Sequence, residues 1–249
     1  MSDYLTAITL PAWSPLFPYS MIRFEDCTRV VMLGRLKPGV TKSITPFPLE
    51  PMGDFILISW LRMGAVLGLP PRNNISFSIP CKYENEIGKY CTLEYTSTGF
   101  GLAAGRELGG WPKKDGVFKW EETEEGVTVE VSRYGHVLAR TKASFQASDV
   151  DARKWPEEFN VPEYGSCNLQ VRHLAKTVAD EPELAEVVKT DYPNFESSVS
   201  IAIDSTFELS NGPLDEFNIL GDIDILSARY EKSSFDFDIS RSIGVHKLR

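Results

Sequence analysis

Residues 103–116 read AAGRELGGWPKKDG, in which four glycines and a proline surround a cluster of charged side chains. Glycine lets backbone approach backbone or ligand closely. Pro112 fixes its own φ and biases Trp111 towards extended geometry, so a rigid backbone could aim Lys113. Trp111 could then shield that lysine from water. A shielded lysine can act as a nucleophile, because an amine attacks a carbonyl only when neutral. A free lysine at a pKa of about 10.4 is almost wholly protonated at neutral pH, and bringing it near 7 costs about 4–5 kcal/mol. Burial supplies shifts of that size, and a nearby cation adds to them. Adjacent side chains on an extended strand point to opposite faces. If Lys113 enters a cavity, Lys114 points elsewhere, and desolvation by Trp111 and apolar walls is expected to outweigh repulsion from Lys114. The plain alternative is a solvated turn, since paired lysines usually sit at the surface. Arg106 and Glu107 fit a brace for the loop, by charge pairing or hydrogen bonding, with Glu107 as a general base the second reading.

Other chemistry is thinly supplied. Only three histidines are present, at 136, 173 and 246, too dispersed to suggest a metal centre or a Ser-His-Asp triad. The four cysteines (Cys27, Cys81, Cys91, Cys167) lack C-x-x-C spacing and are expected to be reduced. Gly101–Gly105 lacks the G-x-G core of a dinucleotide fingerprint. The acidic run Glu121–Glu125 reads as a solvated loop. No metal or cofactor is expected. The formal net charge of −9 argues against a nucleic-acid partner or an anionic membrane surface. The opening residues, MSDYLTAITLPAW, carry no basic and apolar signal pattern, so a soluble cytoplasmic protein is expected.

The elements that must position these residues are mostly strands. Short β-branched and aromatic runs lie at Arg29–Leu33, Asp54–Leu61, Ile75–Cys81 and Tyr90–Tyr95, bounded by Gly, Pro and Asn. Gly126–Arg133, the turn Tyr134-Gly135 and His136–Phe145 predict a hairpin, with Val127, Val129 and Val131 on one face. Further strands are expected at Asn168–His173, Leu184–Thr190, Ser198–Leu209 and Asp222–Tyr230. Asp180–Val188 could open as a short helix, with strand favoured from Leu184. Sixteen prolines argue against long helices. About ten strands without a linker suggest one domain over residues 1–249, an antiparallel barrel or sandwich able to enclose a small ligand.

The motif GREL-x-x-W-P-K-K, present as Gly105–Leu108 and Trp111–Lys114, resembles the acetoacetate decarboxylase family. Thr45–Glu50 (TPFPLE), Ile79-Pro80, Tyr95 and the stretch Leu220–Tyr230 extend the likeness. The resemblance implies a mainly β fold with few short helices, closed as a cone-like barrel around a cavity. It implies that Lys113 is the Schiff-base lysine and Lys114 its companion; Trp111 itself reads equally as a pocket wall or a core aromatic, and Tyr95 as core or pocket lining. It also implies a small keto-acid or carbonyl substrate and a homo-oligomer. The family places an arginine and two glutamates around the lysine. A gap-free register puts Cys27, Ser59 and Asn74 at those positions, so a less charged pocket suited to a larger or more apolar keto acid is expected. Arg23, Arg29, Arg62, Arg72 and Glu94 are near enough in sequence to substitute, though no motif assigns them. The reaction expected is decarboxylation of a β-keto acid by a lyase. Aldol, retro-aldol or dehydration chemistry through the same iminium is the near alternative, and a non-catalytic ligand-binding barrel the distant one.

Overall fold

The computed structural model describes residues 16–17, 21–145, 167–174, 184–238 and 240–248. In chain order its elements are β1 (Ile22–Arg35), α1 (Val40–Ile44), β2 (Glu50–Pro51), β3 (Phe55–Met63), β4 (Arg72–Tyr83), β5 (Glu86–Thr96), α2 (Gly99–Glu107), β6 (Lys113–Asp115), β7 (Val117–Glu122), β8 (Gly126–Arg133), β9 (His136–Ser144), β10 (Cys167–Leu174), β11 (Leu184–Asp191), β12 (Glu196–Ala202), β13 (Asp204–Leu209), β14 (Asp224–Phe237) and β15 (Arg241–Lys247). The protein is mainly β. No described helix is long and apolar enough to cross a membrane.

Eleven strands form one sheet, in the order β12-β14-β1-β3-β4-β5-β10-β11-β15, with β2 beside β4 and β6 beside β5. A second sheet runs β13-β9-β8-β7. Period-two alternation sets what each face carries. Val30, Met32, Ile56, Ile58, Trp60, Ile75, Phe77 and Tyr95 point towards the small sheet and meet Val127, Val129, Val131 and Leu138 in the main core. Trp60 Nε1 donates to Thr141 Oγ1 across that interface at 2.8 Å, so the largest buried ring also satisfies its one polar atom. The intervening residues of the same strands, Ser59 on β3, Asn74, Ser76 and Ser78 on β4, Cys91 and Glu94 on β5, must face the other way. That second face is polar.

One irregularity matters for the site. On β4 and β5, Phe77 pairs with Leu93 but Ser78 pairs with Cys91, leaving Thr92 as an extra residue. This bulge places Cys91 and Glu94 on the same face although three positions separate them.

The ladders do not close the large sheet into a barrel among the described residues, so the closed-barrel expectation is met only in part. The far strands nevertheless converge. Asp236 N donates to Pro193 O and Asp238 N to Asp191 O, joining the end of β14 to the end of β11. Tyr192 packs edge-on against Phe235 and Phe237 at that junction, each 5.8 Å between ring centres.

The expected single strand Ser198–Leu209 is two strands in different sheets. β12 pairs with β14, and β13 pairs with β9. Buried Ile203 lies between them, its N–H bonded to Ala228 O, and carries the chain from one sheet to the other. Strand from Leu184 is observed, while Asp180 and the N-terminal run lie outside the described residues. The three glycines of GFGLAAGRE disfavour helix, so α2 is not expected from local propensity. Tertiary packing overrides that preference, as the site geometry explains.

Candidate functional site

β6 lies parallel to β5, with Glu94 opposite Lys113 and Tyr95 opposite Lys114. Short as it is, this ladder decides the fate of both lysines. Lys113 joins the polar face of the large sheet, and Lys114 joins the core face with Tyr95.

Lys113 is buried, with 3% of its side chain exposed, and its Nζ lies 3.0 Å from Glu94 Oε1. Glu94 is held in turn by Asn74 Nδ2 at 2.6 Å. The Lys113 Nζ also sits 4.7 Å from the centre of the Trp111 ring. Trp111 is itself fixed. Its ring meets Phe237 edge-on at 5.4 Å, and with the Gln170 amide turned to satisfy its neighbours, Nε1 donates to the Gln170 oxygen at 3.0 Å. The same Gln170 bonds both backbone groups of Cys91, tying the tryptophan to β5.

Arg72 completes the cluster. Its guanidinium lies 4.8 Å from the Phe24 ring centre and 5.5 Å from that of Phe100, and Nε contacts Met63 Sδ. Burial pushes Lys113 below the ordinary lysine range, the nearby Glu94 carboxylate opposes that shift, and the Arg72 charge reinforces it. Lys114 plays no part in this balance. It leaves on the opposite face, where its Nζ donates to Leu214 O at 2.6 Å and to Asp215 Oδ1 at 2.8 Å. Tyr95 OH donates to the same Asp215 oxygen at 2.7 Å, so Tyr95 packs in the core with Lys114 rather than beside Lys113.

Helix α2 covers the site with its smallest residues. A Cβ on Gly105 would come within 2.3 Å of Lys113 Cε and 2.4 Å of Cδ. One turn earlier, a Cβ on Gly101 would stand 3.5 Å from Arg72 Cδ. Gly101 and Gly105 lie on one helix face by the i, i+4 rule; a side chain at 105 would collide with Lys113, while at 101 the tight neighbours are the Thr98 and Thr96 hydroxyls, 2.9 and 3.1 Å away. Beyond α2, the Gly105 carbonyl accepts the N–H groups of Gly109 and Trp111. Gly110 takes φ +69°, a region glycine adopts freely, to turn the chain back into Trp111-Pro112.

The remaining sequence candidates fall as follows. Arg106 Nη1 donates to Lys113 O at 3.1 Å, so Arg106 braces the lysine through backbone. Glu107 is exposed, and its backbone carbonyl accepts from Arg172 at 2.8 Å. Asn74 touches Glu94. Ser59 is half-buried on the Lys113 face, in line with Glu94 through Ser76. Cys27 packs among Phe24, Met63 and Phe235, and burial pushes its thiol up to about 11. Arg23 pairs with Asp236 at 3.6 Å, Arg29 pairs with Glu231 at 3.2 Å, and Arg62 is exposed.

The expectation of a weakly charged pocket is therefore overturned. Cys27, Ser59 and Asn74 hold the aligned positions, but a carboxylate and a guanidinium reach Lys113 from Glu94 and Arg72. No motif marks those two residues; sheet pairing brings them in. No sequence feature marks Gln170, Tyr192 or Phe237 either, since they arrive from β10, from the residue after β11 and from β14, far along the chain. The alternation Asn74-Ile75-Ser76-Phe77-Ser78 is the available signal: of its polar half, Asn74 and Ser78 are buried and Ser76 half-buried.

A family model described as Acetoacetate decarboxylase (ADC) matches residues 6–244. Acetoacetate decarboxylase 1 of Bradyrhizobium diazoefficiens is 32% identical over 133 residues, covering 53% of this chain and 53% of that protein. The chain thus aligns with about half the length of such curated relatives. The acetoacetate decarboxylase of Legionella pneumophila superposes with a TM-score of 0.83 at 16% identity, covering 98% of this chain and 95% of that one. The enduracididine biosynthesis enzyme MppR complexed with pyruvate superposes with a TM-score of 0.76 at 15% identity, covering 96% and 98%.

Proposed function

The chain belongs to the acetoacetate decarboxylase family, and from that premise we propose that Lys113 is the Schiff-base nucleophile of an enzyme acting on a keto acid. The observation that carries this reading is the buried Lys113 Nζ set 3.0 Å from Glu94 and held below its ordinary pKa by burial. A lysine buried only for packing would not need a glycine helix laid against its side chain.

The chemistry follows from the contacts. Glu94 accepts the ammonium proton, and the neutral amine adds to the substrate ketone. Glu94 returns the proton to the carbinolamine oxygen, which leaves as water and gives the iminium. Arg72 pairs with the substrate carboxylate, held in place by Phe24, Phe100 and Met63. In a β-keto acid the bond to that carboxylate breaks, CO₂ departs, and the electron pair moves into the iminium to form an enamine. Protonation at carbon and hydrolysis then release the ketone and free Lys113. Trp111 and Phe237 keep bulk water from the amine. MppR, complexed with pyruvate, is a relative in which a keto acid meets this fold. Carbon–carbon cleavage with loss of CO₂, as a lyase, is the reaction we favour.

The test is borohydride reduction in the presence of acetoacetate, read by intact and peptide mass spectrometry. The expected result is a reduced adduct on Lys113 that the Lys113→Ala variant lacks. CO₂ release, followed in parallel, should also be lost in that variant. No adduct from acetoacetate or pyruvate at neutral pH would overturn the reading.

A further inference from the structure

The polar face does not end at Lys113. Because of the Thr92 bulge, Lys89 and Cys91 share the face of Glu94 along β5. The ladder step is about 3.3 Å, so four steps place Lys89 about 13 Å of backbone from Glu94. Lys89 makes no ion pair or hydrogen bond among the described residues; its Nζ lies 5.5 Å from the Tyr192 ring centre. Arg29 on β1, paired with Glu231 at 3.2 Å, adds its charge to the field at Lys89. Asn168, the β10 residue in register with Lys89, donates its amide to Tyr192 OH at 2.6 Å. The buried Oδ1 of Asn168 has no partner. Turned over, that amide would accept from Tyr192 and free its NH₂ for a ligand.

Charge is arranged in two lots. Near α2, Arg72 and Lys113 face Glu94. Arg29 is paired with Glu231, whereas Lys89 has no carboxylate partner among the described residues. Lys89 thus stands as a positive charge without a paired carboxylate among the described residues. Burial, aided by Arg29, pushes Lys89 down to about 8, which leaves it mostly protonated at neutral pH. A half-buried cation without a carboxylate is costly to keep unless something fills the gap.

We infer that Lys89, with Asn168, forms a second anion-binding subsite that receives a distal carboxylate, so that the substrate is a keto diacid whose reacting carbonyl lies at Lys113. This rests on the Schiff-base reading above for the carbonyl end, but not for the anion itself.

Two measurements separate the parts. The first is borohydride trapping with acetoacetate and with 3-oxoadipate. Wild type should reach half-maximal adduct on Lys113 at a concentration at least tenfold lower with 3-oxoadipate, as expected for an added charge-assisted hydrogen bond. That ratio should collapse towards one in Lys89→Met and persist in Lys89→Arg. The second uses adipate against pentanoate, neither of which has a ketone. Adipate should raise the unfolding midpoint of wild type and of Lys113→Met, and should fail to do so in Lys89→Met. A ratio or an adipate shift that survives in Lys89→Met would overturn the subsite. So would an adduct on Lys89 itself, which would make it a second nucleophile. Absence of any Lys113 adduct, with an adipate shift that depends on Lys89, would sink the Schiff-base reading and leave the subsite standing.

Discussion

Lys113 and Glu94 form a buried pair, and the consequences show in the titration of Lys113. Burial pushes Lys113 down while the carboxylate holds it up. In Glu94→Gln the supporting charge is gone, burial and Arg72 act unopposed, and the lysine pKa falls further. The acid limb of the pH profile for adduct formation should therefore move to lower pH, while the plateau rate drops through loss of the proton acceptor. A limb that stays in place would show that the two charges are not coupled. The opposite orientation of Lys113 and Lys114 was legible in the sequence, because it follows from period two alone. Glu94 was not, because nothing local distinguishes it from the other acidic residues of a chain with 35 of them. Its role comes from lying opposite Lys113 in a three-residue parallel ladder.

Helix α2 is where local preference and site geometry disagree most. Gly105→Ala should favour the helix by about 1 kcal/mol on intrinsic propensity. The new methyl would nevertheless land 2.4 Å from Lys113 Cδ and 3.1 Å from its Nζ. The lysine must rotate away from Glu94. We expect adduct formation to fall at least tenfold, with an unfolding midpoint within a few degrees of wild type. A fully active Gly105→Ala protein would mean that Lys113 reaches substrate in another rotamer. Most strands could be read from alternation, the β8–β9 hairpin most clearly, since Val127, Val129 and Val131 face the core as expected. β6, β7 and α2 could not. β6 is three charged residues, β7 is largely solvent-facing, and α2 is made for close approach rather than for helicity.

Across the whole molecule, Asp215 links elements that the chain separates widely. It is fully buried and accepts from Tyr95, Lys114 and Arg133, and so ties β5, β6 and β8 to the loop before β14. Burial alone would raise its pKa, but hydrogen bonds from Lys114, Tyr95 and Arg133 outweigh it and leave the carboxyl below its usual value. A carboxylate lowered in this way stabilises the fold above its unfolded pKa of 3.8 and loses that contribution as pH falls through the lower folded value. Asp215→Ala should cost about 3 kcal/mol at neutral pH in urea unfolding, by leaving the buried Tyr95 phenol without its acceptor and Lys114 and Arg133 without the carboxylate they share. It should also remove part of the acid-induced loss of stability that wild type shows below pH 3.8. An unchanged urea midpoint would mean that water replaces the carboxylate without loss.

The extra residue Thr92 has a consequence for how such a site can change over generations. Side-chain facing along a strand is a matter of parity, and Thr92 reverses parity once between Cys91 and Glu94. No point substitution can undo that reversal, whereas removing Thr92 would carry Lys89 and Cys91 into the apolar core or swing Glu94 away from Lys113. The two ends of the polar face are thus in phase through a single codon. Substitutions at Lys89 can retune what the far end accepts without disturbing Lys113. Relatives with a deletion at this point of β5 should instead have lost the connection between the two ends altogether.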